Sequence, residues 1–172
     1  MTPGAHAAVT LLARLRGEIA EDRVLLARCV ADADLARGRL ASTPDDPALL
    51  ALAGVALHGW YTGLETILER IARQLDGDVP TGARWHRELL TQLAVEVPGV
   101  RPAVLPVRTV APLADLLGFR HFFRHAYGFV LDRRKILDRV ETLASVVLDV
   151  DAALDGIDAF LDAAARATPA GE

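Results

Sequence analysis

Residues Arg133–Asp162 read RRKILDRVETLASVVLDVDAALDGIDAFLD, and the apolar spacing in this stretch decides the fold class. Ile136, Val140, Leu143, Val147, Val150, Leu154, Ile157 and Leu161 follow one another at alternating steps of four and three. That is the heptad spacing that keeps one stripe of a long helix apolar. A stripe of this length must be covered, so it is either the spine of a helical bundle or a seam between two copies of the chain. The helix that carries it is expected to start near Asp132.

Four more helices are expected upstream. Leu12, Leu15, Ile19, Leu26, Cys29 and Ala33 recur at helical spacing between about residues 5 and 37, until Gly38. GRLASTPDDP, Gly38–Pro47, is turn chemistry, and Asp46 before Pro47 is a strong helix start: an N-cap side chain, then proline at the first helical position. The helix that follows should reach about Leu75. At about 100° per residue, Leu57, Trp60, Leu64, Ile67, Leu68, Ile71 and Leu75 share its core face, opposite His58, Thr62, Glu65 and Glu69. A short helix is expected over Ala83–Val95, with Trp85 in the core. Pro98, Pro102, Pro106 and Pro112 make Val97–Pro112 an ordered extended loop. The fourth helix then begins between Thr109 and Pro112 and runs through Phe119–Tyr127, where Gly128 can end it. The expectation is one all-α domain over residues 1–172, a bundle of about five helices with a frayed alanine-rich tail from about residue 165.

Composition agrees. The 30 alanines and 27 leucines among 172 residues outweigh the β-branched and aromatic residues and favour helix. The longest unbroken apolar run, Ala48–Leu57, is far too short to span a bilayer, so no membrane partner is expected. Cys29 is the sole cysteine and allows no internal disulfide; with no basic-then-apolar leader before the first helical pattern, a cytoplasmic location is expected. A formal charge of −4 excludes a general polyanion binder, so any nucleic-acid contact must come from a local patch.

One such patch exists. Phe119–Lys135 reads FRHFFRHAYGFVLDRRK, in which Arg120, Arg124, Arg133, Arg134 and Lys135 oppose only Asp132. On a continuous helix Phe119, Phe122, Phe123 and Ala126 share one face as anchors. His121, Arg120, Arg124, His125 and Tyr127 are presented on the other. Histidine can give or take a proton near neutrality, and arginine's planar fork matches phosphate oxygens.

The spacing Arg120, His125, Tyr127 resembles the signature of the HEPN superfamily, specifically the HepT-type ribonuclease toxins. The runs HGWYTGLETILERIARQLDG (His58–Gly77), ARWHRELL (Ala83–Leu90) and FRHFFRHAYGFVLD (Phe119–Asp132) extend the resemblance. It implies a HEPN-like bundle, metal-independent cleavage of an RNA substrate without a cofactor, and toxicity restrained by a small nucleotidyltransferase antitoxin. Such antitoxins transfer AMP units to the motif tyrosine, whose position Tyr127 holds. Under that resemblance a ribose 2′-hydroxyl attacks the adjacent phosphate, with Arg120 and His125 the candidate catalytic pair, Arg124 and His121 phosphate or RNA contacts, and Tyr127 a hydrogen-bonding group. Arg120 and His125 lie about 140° apart on one helix and one chain offers a single motif histidine, two problems that two facing copies in a homodimer would relieve.

Plainer readings stand beside these. His121 and His125 at i, i+4 could be metal ligands, although no acidic or cysteine pair nearby completes a site. Arg120 and Arg124 could only solvate a helix face or bridge to acids of the last helix. His58, Tyr61 and Glu65 lie on or beside the polar stripe of the second helix, where they either support the cleft or bond to water. Trp85, His86 and Arg87 carry no role that sequence physics assigns. A non-catalytic HEPN-type nucleotide-, RNA- or protein-binding module is the competing function.

Overall fold

A computed structural model describes residues 3–125 and 131–168. Its helices are α1 (Pro3–Leu40), α2 (Pro47–Ile71), α3 (Trp85–Leu93), α4 (Val107–His125) and α5 (Arg133–Ala167), and no strand occurs among the described residues. This is the expected all-α bundle. Asp46 caps α2, its carboxylate accepting from the backbone N–H of Ala48 and Leu49, with Pro47 in the first turn. Asp132 caps α5 by accepting from the Lys135 N–H at 3.0 Å.

The heptad stripe resolves as the bundle's spine. Ile136, Val140, Leu143, Val150, Leu154, Ile157 and Leu161 are all buried within one chain, with Val146 in place of the expected Val147. They pack towards α1, α2 and α4. Of the two alternatives the stripe therefore serves as the spine, with Val147 half-buried at its edge.

α1 lies along α2, and glycines allow the close approach. A Cβ at Gly59 would stand 3.1 Å from Cys29 Sγ, and one at Gly63 would stand 2.9 Å from Leu26 Cδ2. Arg16 ties α1 to α5 through Asp158 at 2.8 Å and Asp162 at 2.5 Å. Gly38 does not end α1, because Leu40 beyond it is fully buried and draws the helix on by two residues.

The α2 ladder gives way at Ala72–Asp76 to a π-helical turn, which Gly77 closes at a φ of 76°. Asp76 then receives Arg101, a buried guanidinium that donates to both carboxylate oxygens at 2.6 and 2.7 Å and to the carbonyls of Val95, Gln92 and Pro102. One side chain thus pins the proline-rich segment to the ends of α2 and α3. That segment is shorter than expected: α4 already begins at Val107, and Pro112 lies inside it. Thr109 stabilises the start, its hydroxyl donating to the Pro106 carbonyl at 2.7 Å. α5 continues to Ala167, capped at Thr168. No helix of the described residues is long and apolar enough to cross a membrane.

Candidate active site

The second half of α4 rests on α2. Phe119 packs against the core and stacks on Phe123 at 5.6 Å between ring centroids. Phe123 in turn lies over Gly54, where a Cβ would come within 2.5 Å of its ring, and beside His58 at 5.7 Å. The third expected anchor does not bury: Phe122 is 52 % exposed. At about 100° per residue Phe122 falls on the far side of Phe119 from Phe123, turned away from α2.

The larger departure concerns Arg120. Instead of facing solvent with the rest of a polar arc, its side chain is 13 % exposed and turns in against α2. There Nη2 pairs with Glu65 Oε2 at 2.8 Å and Nε donates to Thr62 Oγ1 at 3.3 Å. Nη1 takes no hydrogen-bond partner among the described residues. Glu65 is the hub. Its other oxygen, Oε1, lies 2.5 Å from His86 Nδ1, and the His86 ring stacks on Trp85 at 3.7 Å. A carboxylate only accepts, so His86 carries its proton on Nδ1 and leaves Nε2 as the basic nitrogen. Three helices, α2, α3 and α4, are joined through this one carboxylate.

Two of the three α2 residues expected on or beside the polar stripe are thus interior, Glu65 4 % and Tyr61 2 % exposed. His58 is half-buried, and its Nδ1 has no hydrogen-bond partner among the described residues. Arg124 is exposed. His121 is exposed too and meets the His86 ring edge-on at 5.0 Å. His125 closes α4, and its side chain, like all of Tyr127 and Gly128, lies outside the described residues. Trp85 is partly buried against the core, as expected.

Burial shapes the charges here. It pushes the Glu65 carboxyl above the ordinary range, a shift that Arg120 and His121 only partly offset. Burial and then the nearby Arg120 charge lower His86, with Glu69 opposing. Burial, Arg120 and Arg124 likewise lower His58, and burial and Glu65 raise Tyr61 against the pull of Arg120. The downward shifts favour neutral imidazoles at His58 and His86 beside the Arg120–Glu65 pair, while burial disfavours the ionised form of Glu65. Among the described residues no group of three or more His, Cys, Asp or Glu is placed to hold a metal ion.

Thr62 and His86 are the site residues that sequence reasoning did not assign. The clue to His86 was its place in the ARWHRELL run, but nothing local tied it to a residue 21 positions earlier.

A family model described as HepT-like protein matches residues 51–163, more than half of the chain. The chain belongs to the HepT-like family. The match takes in every residue of the Glu65 cluster and leaves α1 outside it. No curated protein and no solved structure matched the chain. In this HepT-like protein, then, Arg120 is not a free surface charge: α2 holds it through Thr62 and Glu65, and α3 braces Glu65 through His86.

Proposed function

We propose that this HepT-like protein is a metal-independent endoribonuclease, the toxin of a toxin–antitoxin pair. The observation that carries this reading is the fixed Arg120 guanidinium: Thr62 and Glu65 occupy its Nε and Nη2, which leaves Nη1 to meet a phosphate oxygen beside the exposed Arg124. A preorganised cation of this kind stabilises the charge that develops on a pentacovalent phosphorus. The 2′-hydroxyl oxygen bonds to phosphorus as its proton passes to a base, and the P–O5′ bond breaks as the 5′-oxygen takes a proton. The products are a 2′,3′-cyclic phosphate and a 5′-hydroxyl. His125 serves one proton transfer, and in a homodimer the partner chain's copy of the motif serves the other. His121 adds an RNA contact. The expected setting is the cytoplasm, with a nucleotidyltransferase antitoxin that places AMP on Tyr127 and so sets a phosphodiester against the arginines.

The second reading, a non-catalytic binding module, is favoured by the same pair seen otherwise: an arginine already neutralised by Glu65 has less charge to offer. Incubation with RNA in EDTA separates the two. Cleavage that Arg120→Ala and His125→Ala both abolish supports the ribonuclease; RNA binding with no cleavage of any tested RNA supports the module. Mixing the two inactive variants tests the dimer, since heterodimers regain one intact cleft if the residues act across the interface.

A further inference from the structure

Two cavities on the face away from α2 share a wall made by Arg87, Ala114 and Gly118. The smaller, about 180 Å³, touches His86 and His121, so it backs directly onto the cluster that holds Arg120. The larger, about 800 Å³, continues between α4 and the start of α5, past Phe119 and Phe122 to Lys135 and Arg139. Its size is that of a site for one or two nucleotides, within the range of about 300–1,000 Å³ usual for small-molecule sites.

The lining chemistry is specific. Arg84 enters from the N-cap of α3, Arg87 from α3 itself, and Lys135 and Arg139 from α5. Two carboxylates oppose them: Asp115, exposed and 3.5 Å from Arg139, and Asp132, which caps α5 by accepting from the Lys135 N–H. Among the described residues Arg84, Arg87 and Lys135 make no ion pair. Between the cations from the two helices stands the half-exposed ring of Phe122. A protein partner would ask for a broader apolar surface. Alternating cations around an exposed aromatic ring are what a single nucleic-acid strand needs, with phosphates on the arginines and lysine and a base on the ring.

We infer that this groove, running from His121 over Gly118 to Phe122 and Lys135, is a subsite for single-stranded RNA. It holds a base against Phe122 and flanking phosphates on Arg87 and Lys135. The inference rests on the ribonuclease reading for the strand's continuation to Arg120, but the groove binds RNA whether or not the strand is cut.

Gly118 provides the test. A Cβ there meets nothing within 4 Å, so Gly118→Leu puts a side chain into the groove without displacing protein, and leucine favours the helix over glycine. The probe is a fluorescein-labelled single-stranded pyrimidine 12-mer, titrated by anisotropy against the full chain carrying His125→Ala to prevent cleavage. Gly118→Leu and Phe122→Ala should each weaken binding about tenfold or more. Lys135→Glu should flatten the log–log salt dependence by about 0.7 or more. Thermal unfolding midpoints for Gly118→Leu equal to or above the parent's exclude misfolding as the cause. If the RNA does not bind, or binds equally to the parent and to Gly118→Leu and Phe122→Ala, the groove proposal is overturned. Cleavage in EDTA by the unmutated chain is read separately. Cleavage with an unchanged KM in Gly118→Leu sinks the groove and leaves the ribonuclease standing, whereas groove-dependent binding without cleavage does the reverse.

Discussion

Glu65 and Arg120 meet at 2.8 Å between α2 and α4, both nearly withdrawn from solvent. Removing one partner from such a pair costs more than the pair itself contributes, because the other charge is left buried. Arg120→Ala and Glu65→Ala should each destabilise the fold, by about 3 kcal/mol in urea unfolding. Glu65→Gln, which keeps the shape and one acceptor, should cost clearly less. Equal losses for Gln and Ala would mean that the carboxylate's charge alone, and not its shape or remaining acceptor, carries the contribution.

Activity should separate Glu65 from Arg120. If Glu65 positions the guanidinium, Glu65→Gln retains the fold and lowers kcat by about 10- to 100-fold with little change in KM. Arg120→Lys should not rescue Arg120→Ala, since an ammonium cannot reach Thr62, Glu65 and a phosphate in one plane. Rescue by lysine would reduce the site's demand to bare charge.

His86 and His58 both titrate below the ordinary histidine value in the fold. A depressed folded pKa gives stability that is present above the unfolded value of about 6.5 and lost as pH falls through and below it. Glu65, shifted upward, acts with the opposite sign as pH falls through its folded value toward the ordinary carboxyl value. Wild-type stability should therefore decline from pH 7.5 to 5.5. His86→Gln and His58→Gln should each flatten that decline, as read from urea midpoints at fixed ionic strength. A slope unchanged in both variants would assign the decline to other groups.

Phe123 sits on Gly54, where even one methyl would come within 2.5 Å of the ring. Gly54→Ala should destabilise by about 1–3 kcal/mol through overpacking, despite alanine's better helix propensity. Pairing it with Phe123→Leu should recover part of the loss, and a double-mutant cycle measures the coupling. Additive losses would mean that α4 is held without this socket.

Leu154 lies at the centre of the α5 spine, fully buried within one chain. Leu154→Ala should cost about 2–5 kcal/mol, with a loss independent of protein concentration. A loss that varies with concentration would restore the stripe to a dimer interface.

Much of this architecture was legible in the chain itself. Local rules act within a turn or two, so Asp46 and Asp132 announced their helices, and the core faces of α2 and α5 followed from leucine and valine spacing. The spacing of Arg120, His125 and Tyr127 pointed to the HepT-like family for the same reason, as a pattern within a single stretch. What covers each face was decided only in three dimensions. Periodicity places Glu65 opposite the leucines of α2, yet α3 and α4 close over that side and bury it. Its partners Arg120 and His86 are distant in sequence, and no local preference links them. The same closure turned Arg120 inward and left Phe122 outside, because a short helix face has room for some of its aromatics and not all. Tertiary packing also consumed the heptad stripe within one chain, since α1, α2 and α4 together cover a helix that no one of them could cover alone.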